Sequence, residues 1–149
     1  MFKKSLTVLL STVLFFSVLQ AKESVKNKAL KKELYQAVWE KTYGGDDGDS
    51  ANGIVALENG EYALVGTCKS FGAQGTDMCV VRMNGKGEIL WHILLGGKKK
   101  DVGKAIIRAA DGSLIVLGTS KSFAKHYDRD MYVAKVSLEG KLVWEQSLG

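Results

Sequence analysis

The apolar positions of this chain fall into short runs bounded by glycine and polar turns, and the runs are written twice. Gly60-Glu61-Tyr62-Ala63-Leu64-Val65-Gly66-Thr67-Cys68-Lys69-Ser70-Phe71 returns as Gly112-Ser113-Leu114-Ile115-Val116-Leu117-Gly118-Thr119-Ser120-Lys121-Ser122-Phe123, at a spacing of 52. Asp77-Met78 returns as Asp130-Met131, Gly87 as Gly140 and Trp91 as Trp144, at a spacing of 53. A period near 50 residues marks one supersecondary unit reused side by side. The spacing of turns divides one unit into four strands, expected near 51–57, 61–68, 77–84 and 88–95. Second copies are expected near 104–109, 113–119, 130–137 and 141–148. Asn59-Gly60, Asp111-Gly112, Asn84-Gly85, Gly87 and Gly140 supply the turns between them. No helix is expected after residue 39.

The strands are apolar on both faces. Tyr62, Leu64 and Val65, then Met78, Val80, Val81 and Met83, leave no clean polar side. Such sheets need cover on both sides. Four-stranded sheets stacked around an axis at this period describe β-propeller blades; a sandwich and a solenoid are the other all-β readings, and a solenoid rung is usually much shorter. The leading segment Trp39-Glu40-Lys41-Thr42-Tyr43-Gly44-Gly45 matches Trp91-His92-Ile93-Leu94-Leu95-Gly96-Gly97, and the match begins again at Trp144 to Gly149. Residues 39–149 therefore read as a leading strand and two blades of an incomplete ring. Closed propellers typically hold four to eight blades. A stop inside a repeat signature reads as truncation of a longer array, with the Trp39 strand suited to completing a last blade.

The residues before the repeat have another texture. Met1-Phe2-Lys3-Lys4, the apolar run Leu6 to Leu19 and the small Ala21 have the layout of a secretory signal peptide over residues 1–21. That run is short for a membrane span. Residues 22–38 form a lysine-rich linker or short helix, with Val25, Ala29 and Leu30 at a partial helical spacing. The predicted location is periplasmic or secreted, with no membrane span once the leader is removed.

Composition changes the picture little, with 46% apolar and 25% charged residues. Charge changes it more. The formal net charge of +5 lies in the leader and linker, because residues 39–149 carry 14 basic and 14 acidic side chains. No basic face for nucleic acid is expected on the folded domain. Within it, residues 39–91 hold 4 basic and 8 acidic side chains, and residues 92–144 hold 10 and 5. A head-to-tail ring of such units would set opposite signs side by side, so a homo-oligomer is one expected partner arrangement.

The order Trp, Gly-Gly, Asp, a strand ending Gly-Thr, Ser, Asp, Gly and Trp resembles the bacterial exported β-propeller repeats of the delta-60 and quinoprotein-like kind. The resemblance covers residues 39–149. Each blade ends in Gly-x-x-x-Trp, at Gly87 to Trp91 and Gly140 to Trp144, as tryptophan-docking repeats of quinoproteins do. Those repeats carry Ala-x-Asp-x-x-Thr-Gly where this chain has Met83 and Lys86, then Val136 and Glu139. The resemblance thus brings in pyrroloquinoline quinone as an alternative cofactor, and this departure weighs against it.

Candidate chemistry is sparse. Trp39, Trp91, Trp144, Gly44, Gly45, Gly96, Gly97, Gly66, Gly118, Asp49, Asp101, Asp77 and Asp130 recur at equivalent places. Recurrence predicts structural service, with the carboxylates accepting backbone N–H groups in tight turns. Asp46, Asp47 and Asp49 are the candidate ligands for a calcium ion, against a plain acidic turn. Cys68 and Cys79 lie on neighbouring strands, to be joined in a disulfide if the register sets them opposite, or left as two thiols. His92 replaces Glu40 and Glu145 at a solvent-facing position. The loop Lys125-His126-Tyr127-Asp128-Arg129 is one residue longer than its counterpart and is the candidate binding loop. Serine-nucleophile, zinc-protease and phosphate-loop motifs are missing from the sequence. The expected function is a non-catalytic binding or scaffold module of the bacterial envelope that takes a protein or glycan through its loops. A fragment of a propeller enzyme, either a quinoprotein-like dehydrogenase or a glycan-cleaving one, and a self-associating structural protein are the alternatives.

Overall fold

The computed structural model describes Ser24, residues 39–124 and residues 128–149. The expected signal peptide and nearly all of the linker lie outside the described residues. Eight strands follow one another: β1 (Ser50–Ala56), β2 (Tyr62–Cys68), β3 (Asp77–Met83), β4 (Ile89–Leu95), β5 (Asp101–Arg108), β6 (Leu114–Ser120), β7 (Asp130–Val136) and β8 (Leu142–Leu148). They form two four-stranded antiparallel sheets, each a simple meander, in the orders β1-β2-β3-β4 and β5-β6-β7-β8. The fold is all-β: two propeller-type blades, with no ring closed among the described residues. One correction to the sequence reading is a single 3₁₀ turn at Glu58–Gly60. Another is that β5 begins at Asp101, three residues early, because the Asp101 N–H is held by the Thr76 carbonyl at 2.7 Å.

The two sheets meet through unlike faces. The second sheet presents Leu114, Val116, Tyr132, Ala134 and Val136, all buried, to buried Ala63, Val65, Met78 and Val80 of the first. In repeat terms Leu64 corresponds to Val116 and Val65 to Leu117, so one blade's near face lies on the other blade's far face. That is propeller-like stacking; a sandwich related by two-fold symmetry would bury the same face twice. Burying side chains of the size of Val or Met stabilises by about 1.5–3 kcal/mol each.

Two glycines make the stacking and the pairing compatible. A Cβ at Gly118 would lie 2.1 Å from the Val102 carbonyl oxygen and 2.3 Å from Met78 Cε. At Gly66, its counterpart, a Cβ would lie 1.9 Å from the Ser50 carbonyl oxygen. Both sit beside bulges, between Ala51 and Gly53 and between Gly103 and Ala105, where the innermost strands bend toward their neighbours. This is why the Gly-Thr dipeptide is repeated.

A tryptophan bridges the sheets at the rim. Trp91 Nε1 donates to the Leu138 carbonyl at 2.8 Å, and its indole covers Gly140, where a Cβ would come within 2.8 Å of the ring. Trp39 repeats the arrangement one blade earlier, donating to the Gly85 carbonyl at 2.9 Å and covering Gly87. The Tyr43 hydroxyl donates to the Gly87 carbonyl. The segment Trp39–Tyr43 thus holds the place of a fourth strand on the outer face of the first blade, though it pairs with no strand. The expected cover on both sides of each sheet is met on one face of each. Among the described residues, the first blade's other face is only partly covered by this segment, and the second blade's other face is open.

Cys68 and Cys79 are joined in a disulfide, with Cα atoms 5.8 Å apart. The pair is diagonal, not opposite: Cys79 faces Gly66 and Cys68 faces Asp77. The side-chain-free Gly66 leaves the span between the two sulfurs clear of a third side chain.

Two outcomes test this account. Reduction of the disulfide, or replacement of both cysteines by serine, should lower unfolding free energy by about 2–3 kcal/mol, given its short closed loop. Gly140→Ala places a methyl against Trp91 at φ +81°. It should cost at least about 1 kcal/mol in urea melts.

Candidate functional site

Loops from both blades meet at one end of the stack, and in each blade a carboxylate ties that blade's own loops together. Asp49 begins this arrangement in the first blade. Its Oδ1 accepts the N–H groups of Lys69 at 2.9 Å and Ser70 at 3.1 Å, and its Oδ2 accepts that of Gly45 at 3.2 Å. The Gly45 N–H also reaches Ser70 Oγ at 3.0 Å. One carboxylate therefore joins the Gly-Gly turn before β1 to the loop between β2 and β3.

Asp101 does the same in the second blade, more deeply. It is buried and accepts the Gly97 N–H at 2.9 Å, the Ser122 hydroxyl at 2.7 Å and the Ser120 hydroxyl. The Lys99 N–H adds a bond to Ser122 Oγ at 3.0 Å. A buried carboxyl group is tolerated when its oxygens are hydrogen-bonded in this way. The second blade keeps backbone N–H donors from Gly97 and Ser122 and adds the Ser120 hydroxyl, at the position that Cys68 occupies in the first.

Asp77 and Asp130 are bonded differently from each other: Asp77 meets the Gln74 N–H, while Asp130 takes a hydroxyl. Asp130 accepts the Ser147 hydroxyl at 3.2 Å. Asp77 is buried, and its Oδ1 has no hydrogen-bond partner. Leu94 occupies the position that Ser147 holds in the second repeat, so the donor is missing. Asp77 lines a cavity of about 260 Å³ with Gly72, Gln74, Gly96, Gly97 and Lys98. Burial raises its pKa; the Gln74 N–H opposes the rise and the Asp101 carboxylate adds to it. For Asp49 burial also pushes upward, but the hydrogen bonds from Ser70, Lys69 and Gly45 outweigh it and hold the pKa below the usual carboxylate value.

The calcium candidates do not converge. Asp49 is turned inward onto N–H donors while Asp46 and Asp47 are exposed. Among the described residues no three acidic, histidine or cysteine side chains are grouped as metal ligands would be. In the candidate binding loop, Lys125, His126 and Tyr127 lie outside the described residues, while Asp128 and Arg129 are exposed. His92 is exposed and packs against Phe71, with ring centroids 5.0 Å apart. In the second blade Phe123, Tyr132 and Glu145 stand where the first has Phe71, Cys79 and His92. The Tyr132 ring stacks on Phe123 at 5.6 Å, and its hydroxyl donates to the Glu145 carboxylate. Burial and that carboxylate push the Tyr132 pKa well above the usual phenol value, so it stays protonated.

Sequence reasoning passed over the lysine cluster of this loop end. Lys98, Lys99 and Lys100 are exposed on the turn between the blades, and the Lys100 carbonyl accepts the Lys121 N–H at 3.0 Å. The signal was available as the consecutive lysines; what the sequence lacked was their adjacency to Lys121 and Ser122. What this end offers is a firm platform with a basic turn on one blade and Asp46 and Asp47 on the other.

No protein-family model and no curated protein matches the sequence.

The opposite pKa directions give a paired test. A lowered Asp49 pKa contributes stability above about pH 4 that is lost as pH falls through the folded value. A raised Asp77 pKa costs stability that appears as pH climbs from about 4 through the folded value. At pH 7, Asp49→Asn should lower the urea midpoint and Asp77→Asn should raise it. Both differences should shrink as the medium is brought below about pH 4.

Proposed function

We propose that this chain is an exported propeller-type binding or scaffold module of the bacterial envelope, not a catalyst, and that its ligand meets the loops at the Asp49 and Asp101 end. The observation that carries the reading is how the recurring carboxylates Asp49 and Asp101 are employed. Their oxygens are taken up by loop N–H and hydroxyl donors, which fixes the loops and leaves little carboxylate capacity for acid–base or nucleophilic chemistry. Rigid scaffolds commonly carry binding on loops held in this manner. A fold by itself supports many activities, so the argument rests on this end of the molecule.

The chemistry of the exposed residues narrows the ligand. Lys98, Lys99 and Lys100 favour a partner with carboxylates, either a uronic-acid glycan or an acidic protein segment. Surface pairing of this kind is screened by salt, with a Debye length of about 8 Å at physiological ionic strength. The layout of residues 1–21 supports the export part of the reading, as does the resemblance to exported repeat propellers. Among the described residues no helix is long and apolar enough to cross a membrane.

Binding of the mature chain to neutral and uronic-acid glycans, and to acidic envelope proteins, tests this. Charge reversal of Lys98, Lys99 and Lys100 together should weaken binding at least about tenfold, and raised salt should weaken the wild type similarly. Turnover of a glycan or oxidation of an alcohol with added pyrroloquinoline quinone would replace this reading with the enzyme one.

A further inference from the structure

Only one face of each blade is covered by the other blade, and the two remaining faces match each other in kind. The open face of the second blade holds Leu117, Met131, Trp144 and Leu148, which are 40%, 53%, 42% and 52% exposed. Their repeat counterparts are Val65, Met78, Trp91 and Leu95. Val65, Met78 and Leu95 are buried at 0–3% exposure, and Trp91 bridges to the second blade. At the other end of the stack, Leu64, Val81 and Met83 correspond to Val116, Ala134 and Val136, all of which are fully buried in the joint. In the first blade they line a cavity of about 380 Å³ beneath Trp39 and Tyr43. The molecule therefore displays both halves of its own internal interface. Exposed apolar surface of this extent marks an association site.

We propose that a second copy of this chain docks head to tail in the geometry of the internal joint. The second blade of one copy settles on the outer face of the first blade of the next. In that arrangement Trp144 takes the Gly85 carbonyl and the Gly87 seat that Trp39 now holds. Trp39 is a weak incumbent: residues 39–43 pair with no strand, and Trp39 is itself 39% exposed. Trp39 and Tyr43 hold the segment through single side-chain hydrogen bonds to the backbone at Gly85 and Gly87. Trp144 arrives with a whole four-stranded sheet behind it, so the exchange trades a short segment for a blade face.

Charge points the same way. The first repeat carries 4 basic and 8 acidic side chains and the second carries 10 and 5, so head-to-tail contact joins unlike signs while head-to-head contact joins like ones. Such an interface is heterologous; it closes into a ring if the rotation permits. This surface is built from blade faces, and Asp49 at its edge is shared with the loop end of the proposed ligand site.

Sedimentation velocity on the mature chain, with circular dichroism to check folding, tests the proposal. The wild type should associate as concentration rises, and Trp39→Ala should associate at a concentration at least about tenfold lower, since an empty seat favours the incoming tryptophan. Trp144→Ala and Met131→Lys, both on the open face, should return the chain to monomer without loss of strand signal. A folded Trp39→Ala chain that remains monomeric at millimolar concentration overturns the proposal. So do assemblies that Met131→Lys leaves unchanged. Should Trp39→Ala fail to fold, the wild type decides: assemblies dissolved by Met131→Lys support the docking, and a monomer at millimolar concentration overturns it.

Discussion

The structure depends on how closely two β-sheets can approach, and that distance is set where backbone stands in place of side chains. Gly103 and Gly118 face the first blade across the joint; a Cβ at Gly103 would lie within 3 Å of Val65 and Met78, and one at Gly118 within 3 Å of Met78. A residue with any side chain there would hold the sheets apart and open voids around the buried valines. The same glycines sit beside bulges, so the bend of each innermost strand and the packing of the blades answer to one constraint. Gly66, the counterpart of Gly118, meets the within-sheet part of that constraint although no blade lies on its face. The repeat therefore preserves a packing surface even where, among the described residues, only the Trp39–Tyr43 segment lies over it.

Equivalent positions carry different chemistry in the two blades for physical reasons that can be followed. Cys68 and Cys79 face the partly covered side of the first blade, where a covalent tie stands in for missing cover. Ser120 and Tyr132, at the same places, are in the joint, where Tyr132 fills volume and directs its hydroxyl to Glu145 while Ser120 serves Asp101. Cross-blade polar contacts follow the same division. Arg82 bridges to the Leu138 carbonyl and to Glu61, and Arg108 reaches Glu58, so the blades are pinned at the rim as well as packed at the centre.

The loop end and the blade faces present different surfaces. Carboxylates of the repeat hold the loops in place from within, and the lysines of the inter-blade turn are exposed. The blade faces carry apolar side chains in the pattern of the internal joint. These two surfaces answer to different forces, screened electrostatics at the loops and area burial at the faces, so salt affects them unequally.

Much of this was legible from residue order. Turn glycines and apolar runs placed seven strands within two residues of their ends, because antiparallel meanders with short turns are governed locally. The structural use of Asp49 and Asp101 was legible because repetition at a Gly-Gly turn implies service to the backbone. Other features arose only from the tertiary structure. The diagonal disulfide depends on the β2–β3 register, which no spacing between Cys68 and Cys79 specifies. Asp77 looked equivalent to Asp130, yet its missing partner follows from Leu94 on another strand, paired through a register the sequence does not display. Which face of each blade would be buried was equally hidden, since both faces are apolar and the local pattern does not rank them. The chain by itself determined that four-stranded repeats would form, because hydrogen-bonded hairpins are local. Only the tertiary structure decided what those repeats bury and what they leave open, because that depends on side chains brought together from strands some 50 residues apart.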